Sequence, residues 1–171
     1  MDYLRLIDRS KLHYKRSDVT PIFAEPAAFR ALVDDLIAPW AHDQLPVERV
    51  VGTDALGFIL GTALALKLGV GFVPVRKGGK LPVKHERVAY RDYSGSEKIF
   101  ELRADPWPPG TRALLVDDWI ETGATAKAAA ELIERAGGVV VGIAAIAFRK
   151  NEKTAPLWAK YRCHSVWPER T

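Results

Sequence analysis

The stretch Ala113-Leu114-Leu115-Val116-Asp117-Asp118-Trp119-Ile120-Glu121-Thr122-Gly123-Ala124-Thr125 decides what the chain can be. Its apolar start predicts a buried strand, and residues 126–136 predict a helix closed by Gly137-Gly138. The short loop between them aims backbone N–H groups and the positive end of a helix dipole at one spot, which suits an oxyanion and best a phosphate. Asp117 and Asp118 stand at the carboxyl end of the strand, where open α/β sheets bind their ligands. A phosphate loop beside two acids suggests a sugar phosphate, with its oxyanion at the loop and its hydroxyls or a hydrated cation at the carboxylates.

Outward from this stretch the pattern repeats. Residues 139–148 supply the last strand of the 113–148 unit. Residues 47–52 predict a strand, 53–57 a turn, 58–68 a buried helix closed by Gly69, and 70–75 a further strand. Two strand–helix–strand units imply an α/β fold, a central and mainly parallel sheet flanked by helices. Gly57 and Gly61 are one helical turn apart. Close helix–sheet packing is the better reading of Gly61, whereas Gly57 could serve packing or a ligand's approach. Upstream, Phe29, Leu32, Val33, Leu36 and Ile37 recur at helical spacing after Pro26. Before them lies an arm, residues 1–25, whose Lys11, Lys15 and Arg16 read as a solvated face.

Between the two units, Arg76-Lys77-Gly78-Gly79-Lys80-Leu81-Pro82-Val83-Lys84 makes a positive, flexible loop. A two-stranded excursion turning at Ser94-Gly95 follows it. Residues 80–102 together make a natural lid over the strand ends. The segment Asp105-Pro106-Trp107-Pro108-Pro109-Gly110 reads as a rigid connector, and Trp158, Tyr161 and Trp167 as edge packing or a subunit contact.

Composition bounds the function. At 171 residues the chain fits a single domain, and a net charge of +4 favours an anionic ligand. The lone Cys163 excludes an internal disulfide framework, and four scattered histidines with no helical i, i+4 pair argue against a transition-metal site. No apolar run reaches the about 18 residues of a membrane span. The charged N-terminus, with Asp2, Arg5, Asp8 and Arg9, does not read as a signal peptide, so a cytoplasmic location is expected. Tyr90, Tyr93 and Phe100 form no base-stacking pattern, and no nucleic-acid partner is expected.

Two common phosphate motifs are ruled out. No lysine follows Gly123, as a Walker loop requires, and Asp54-Ala55-Leu56-Gly57 lacks the three spaced glycines of a dinucleotide fingerprint. Residues 116–125 instead resemble the phosphoribosyl-pyrophosphate (PRPP) motif of type I phosphoribosyltransferases. Gly71-Phe72-Val73-Pro74-Val75-Arg76-Lys77-Gly78-Gly79-Lys80-Leu81-Pro82 is similar to the adenine branch of that family, as is Asp18-Val19-Thr20-Pro21-Ile22-Phe23. The resemblance covers about residues 16–148.

The resemblance implies a type I phosphoribosyltransferase fold with a flexible lid and a small N-terminal hood. It implies transfer of ribose 5-phosphate from PRPP to a purine, most similarly adenine, with Mg²⁺ bound and pyrophosphate leaving. It implies a 5′-phosphate site at Thr122, Gly123, Ala124 and Thr125, and ribose hydroxyls on Asp117 and Asp118, directly or through the metal's waters. Asp54, Ala55, Leu56 and Gly57 would meet the pyrophosphate, with Arg76, Lys77 and Lys80 neutralising its charge. Trp119, Ile120 and Asp18 would flank the base, Glu121 would accept or orient its proton, and a homodimer would complete the site.

Four positions depart from the branch. Glu121-Thr122-Gly123-Ala124-Thr125 replaces Ala-Thr-Gly-Gly-Thr, and an acid at Glu121 is usual in hypoxanthine-guanine enzymes. Leu56 replaces an arginine in the pyrophosphate turn. Asp92-Tyr93-Ser94-Gly95 stands near a Glu-Tyr pair in the lid, and Arg16-Ser17-Asp18 replaces Phe-Arg-Asp. Two rivals follow: a 6-oxopurine (xanthine, guanine, hypoxanthine) enzyme, and a PRPP-binding regulator without turnover.

Overall fold

One seven-stranded sheet organises the chain, in the order β3-β4-β2-β1-β5-β6-β7. The computed structural model describes residues 3–8, 17–44, 46–92, 94–104 and 107–167. The elements are α1 (Thr20–Ala24), α2 (Pro26–Ile37), β1 (Arg49–Thr53), α3 (Leu56–Leu68), β2 (Gly71–Lys77), β3 (His85–Arg91) and β4 (Glu97–Arg103). They continue as β5 (Arg112–Ile120), α4 (Ala124–Arg135), β6 (Val139–Phe148), α5 (Ala155–Lys160) and β7 (Cys163–Ser165). Strands β2, β1, β5, β6 and β7 run parallel, while β4 is antiparallel to β2 and β3 to β4. This is the α/β architecture the two units imply, with helices on both faces.

Alternation along β5 divides the core. Leu114 and Val116 face the layer that contains Leu32 and Leu36 of α2 and Leu60 and Leu64 of α3. Ala113 and Leu115 face Ala129, Leu132 and Ile133 of α4. Helix α3 ends where Gly69, at φ 69°, adopts the left-handed C-terminal conformation expected of it. The arm joins the α2 side, burying Tyr3, Ile7, Val19 and Ile22. In the C-terminal tail, β7 adds a parallel edge strand to β6, so the tail completes the sheet.

Helix α3 packs closely on the central strands β1, β2 and β5. A Cβ on Gly61 would stand 2.5 Å from Phe72 Cε2, and one on Gly57 2.8 Å from the Val116 carbonyl oxygen. Both glycines therefore serve packing. Gly61→Val is expected to cost about 1–3 kcal/mol, more than the few tenths that leaving glycine returns in a helix. A urea midpoint equal to that of the parent protein would contradict this packing.

The excursion after the basic loop is the β3–β4 hairpin. Val88, Phe100 and Leu102 are buried, so its strands are anchored in the core. Its turn is tied by Asp92 Oδ1, which accepts from Ser94 N at 2.8 Å and Ser96 N at 3.2 Å. Lys11, Lys15, Arg16, Tyr93, Asp105 and Pro106 lie outside the described residues.

Candidate active site

A cleft of about 1020 Å³ opens over the carboxyl ends of β1 and β5, where the strand–loop–helix pattern directs its loops. Its floor holds Thr53, Asp117 and Asp118, one side the turn Asp54-Ala55-Leu56, and another the loop residues Glu121, Thr122 and Thr125. Lys77, Gly78 and Gly79 close a third side, and the β3–β4 hairpin contributes Arg87, Tyr90, Asp92 and Lys98. Four segments of the chain thus converge.

The 122–125 loop is built by Gly123, whose φ of 73° at the N-cap of α4 turns the backbone from strand to helix. The opposite side of this glycine is full, because an added Cβ would lie 2.9 Å from Leu157 Cδ1. Asn151 braces the same loop, its Nδ2 donating to the Glu121 carbonyl at 2.9 Å. The loop is therefore held from behind by α5 and the segment before it, at the N-terminus of the 12-residue α4, with Thr122 and Thr125 lining the cleft.

Asp117 is 7% exposed, and the Asp118 N–H donates to its Oδ1 at 3.0 Å. Burial, followed by the charge of Asp118, pushes its carboxyl well above the usual carboxylate range. A cation or a set of hydroxyl donors at this spot would relieve both effects. Among the described residues no three-residue His/Cys/Asp/Glu cluster could hold a metal alone, so any ion here takes its remaining ligands from water or substrate. Tyr90 stacks on Phe100 with ring centroids 4.6 Å apart. Burial, then Asp92, Asp117 and Asp54, push its phenol up to about 12, which keeps it a neutral donor.

The expected cations divide. Lys77 Nζ lies 3.5 Å from Asp54 Oδ1 and lines the cleft. Arg76 Nε lies 3.7 Å from Asp54 Oδ2 behind that wall, and Lys80 is exposed beyond it. Gly57, Gly123 and Ala124 shape the two loops from outside the cleft lining. Trp119 lines the cleft and packs edge-on against Trp167 at 5.6 Å. Ile120 points the other way, 1% exposed in the α4-side core. Asp18 is not among the residues lining the cleft and forms a turn before α1, accepting from Thr20 N at 2.9 Å. Arg87, Lys98 and Glu101 are not singled out by sequence, and Tyr90 enters there only as part of an absent base-stacking pattern. The signals were the placing of the 80–102 excursion over the strand ends and the charged residues that interrupt the apolar pattern of its strands.

A family model described as a phosphoribosyl transferase domain matches residues 27–169. The chain belongs to the phosphoribosyltransferase family. This phosphoribosyltransferase is 45% identical over 141 residues to an adenine phosphoribosyltransferase of Roseobacter denitrificans, covering 82% of this chain and 78% of that protein. Its identity to the Chlorobium phaeovibrioides adenine phosphoribosyltransferase is 47% over 129 residues, 75% and 72% of the two chains. Among solved structures, the Rhodothermus marinus adenine phosphoribosyltransferase superimposes with a TM-score of 0.84 at 36% identity, covering 96% and 94% of the chains. The Saccharomyces cerevisiae enzyme, complexed with the imino-altritol bisphosphate D-DIAB and adenine, gives a TM-score of 0.84 at 28% identity, covering 97% of each. The fold of this phosphoribosyltransferase, with its helix-flanked and mostly parallel sheet, is the fold of those structures.

Proposed function

We propose that this phosphoribosyltransferase makes AMP and pyrophosphate from PRPP and adenine, a purine-salvage reaction. The observation that carries this reading is the convergence of the 54–56 turn, the Asp117-Asp118 pair and the 122–125 loop on one cleft. That spacing suits an anion at each end of a ribose. The Chlorobium and Roseobacter relatives, at 47% and 45% identity, are adenine phosphoribosyltransferases, which supports adenine as the base.

In this reading Thr122 and Thr125, with the backbone of 123–124, hold the 5′-phosphate, and Asp117 and Asp118 hold the ribose hydroxyls. The 54–57 turn and Lys77 receive the leaving pyrophosphate, supported by Arg76 and Lys80. Trp119 forms a wall for the base, and Glu121 accepts or orients its proton. The pair of hard oxygen donors fits Mg²⁺ held through its waters, by Asp117 and Asp118. When bound it would neutralise diphosphate charge. The 80–102 excursion would cover the sugar and exclude water, and the 1–25 arm would act as the hood. Ile59 and Leu66 of α3 are 42% and 78% exposed on one helix face, which supports a homodimer. Among the described residues no helix is long and apolar enough to cross a membrane, consistent with a cytoplasmic enzyme.

Glu121 in the cleft wall favours the second reading, a 6-oxopurine enzyme. Incubation with PRPP, Mg²⁺ and single purines separates the possibilities. AMP and pyrophosphate from adenine, stopped by EDTA, is expected. Product from oxopurines alone supports the second reading, and PRPP binding without product from any base supports a regulator.

A further inference from the structure

The basic loop after β2 carries no regular structure of its own, yet its backbone is held by one side chain. Glu101, in the antiparallel strand β4, is 6% exposed. Its Oε1 accepts from Gly79 N at 2.7 Å, and its Oε2 from Lys80 N at 3.1 Å and Leu81 N at 3.2 Å. His85 Nε2 stands 3.6 Å from Oε1, while Nδ1 of the same ring is 2.7 Å from the Val83 carbonyl. By register, Glu101 pairs with Arg76 on β2 and Arg87 on β3, so it lies on one sheet face between two guanidinium-bearing residues. The N–H donated by Gly79 leads the causes that hold its carboxyl below the usual range.

Burying a carboxylate is unfavourable unless its lone pairs are filled, and here three consecutive loop amides fill them. The cost of breaking the arrangement falls on the loop as well as on the acid, because each freed N–H loses a charged acceptor. Gly79, at φ 77°, supplies the backbone turn that brings these amides round. Lys77 enters this segment on the cleft side, 3.5 Å from Asp54 of the opposite turn. The carboxylate lies among the residues lining the cleft, together with Gly78 and Gly79.

We propose that Glu101 is a positioning residue for the diphosphate end of the cleft: its carboxylate clamps residues 79–81 and thereby fixes the Lys77–Lys80 segment against the 54–57 turn. The clamp acts before substrate arrives and needs no contact with it. The functional consequence rests on the phosphoribosyltransferase reading of the cleft, whereas the clamp itself does not.

Amide hydrogen exchange on the parent protein tests the clamp without turnover. The amides of Gly79, Lys80 and Leu81 should exchange at least about tenfold slower than an unprotected chain, and intrinsic rates at these three positions would overturn the proposal. In Glu101→Gln one acceptor becomes a donor facing the loop, so this protection should fall. The KM for PRPP should rise about 10- to 100-fold, with kcat and the adenine KM within about threefold. A merely structural role would lower the melting temperature and the active fraction but leave both KM values unchanged, which would also overturn it. Unprotected amides in a protein that makes AMP normally defeat the clamp alone. Protected amides in a protein that makes no nucleotide defeat the activity alone.

Discussion

Asp117→Asn is expected to abolish most nucleotide synthesis while making the unliganded protein more stable at alkaline pH. The two effects share a cause. Asp117 is buried at the cleft floor beside Asp118, and burial with that neighbouring charge raises its carboxyl. A carboxyl raised in the folded state binds its proton more tightly there than in the unfolded chain. Stability therefore falls as pH rises from the ordinary carboxylate range toward the raised value, and no penalty exists below that range. Asparagine keeps the size and removes the charge, so the variant's gain in melting temperature should be larger at about pH 8 than at about pH 5. In the proposed reaction the same charge would hold the ribose hydroxyls and a hydrated Mg²⁺. Its loss should lower kcat/KM about a hundred- to a thousandfold, the scale of removing one preorganised electrostatic contact from a transition state. Calorimetric melts without metal and initial rates with PRPP in excess check the two halves. A variant that is less stable at the higher pH, or that keeps its activity, would contradict this role.

Glu121→Gln should reduce kcat about 10- to 100-fold, with the KM for PRPP within about threefold. Glu121 is half-buried in the cleft wall between Trp119 and Thr122, and its main chain is pinned by Asn151. That bond fixes where the side chain starts from the loop, and in the proposed reaction its carboxylate would reach the base across the cleft. Glutamine preserves reach and hydrogen bonding but cannot take the proton. Single-turnover rates separate the chemical step from product release, and an unchanged rate constant would make Glu121 a solvated loop acid.

The parts of the fold written in short-range pattern were legible. Apolar runs of 4–8 residues followed by helical spacing and a terminal glycine located β1, α3, β5 and α4, and Gly69 marked a helix end that it does occupy. The strand-to-helix loop was legible because Thr122-Gly123-Ala124-Thr125 is itself a local structure, with Gly123 at the N-cap of α4. What depends on register was not. Ile120 follows Trp119 by one residue, and the strand's period of two sends it into the core while Trp119 lines the cleft. Glu101 reads as an ordinary strand charge until the antiparallel pairing brings residues 79–81 to its carboxylate. Strand β7 has only three residues, too few for alternation to register, and it exists because the exposed edge of β6 offers it a partner. Asp18 was grouped with the base by resemblance, and its local chemistry spends it on a turn with Thr20.

Base choice is the most direct test of the proposed activity. Adenine, hypoxanthine, guanine and xanthine at equal concentration compete in one reaction with limiting PRPP and Mg²⁺, and the nucleotides formed are separated by chromatography. AMP is expected to dominate, with pyrophosphate formed in equal amount. Dominance of an oxopurine nucleotide, or consumption of no PRPP at all, would contradict it.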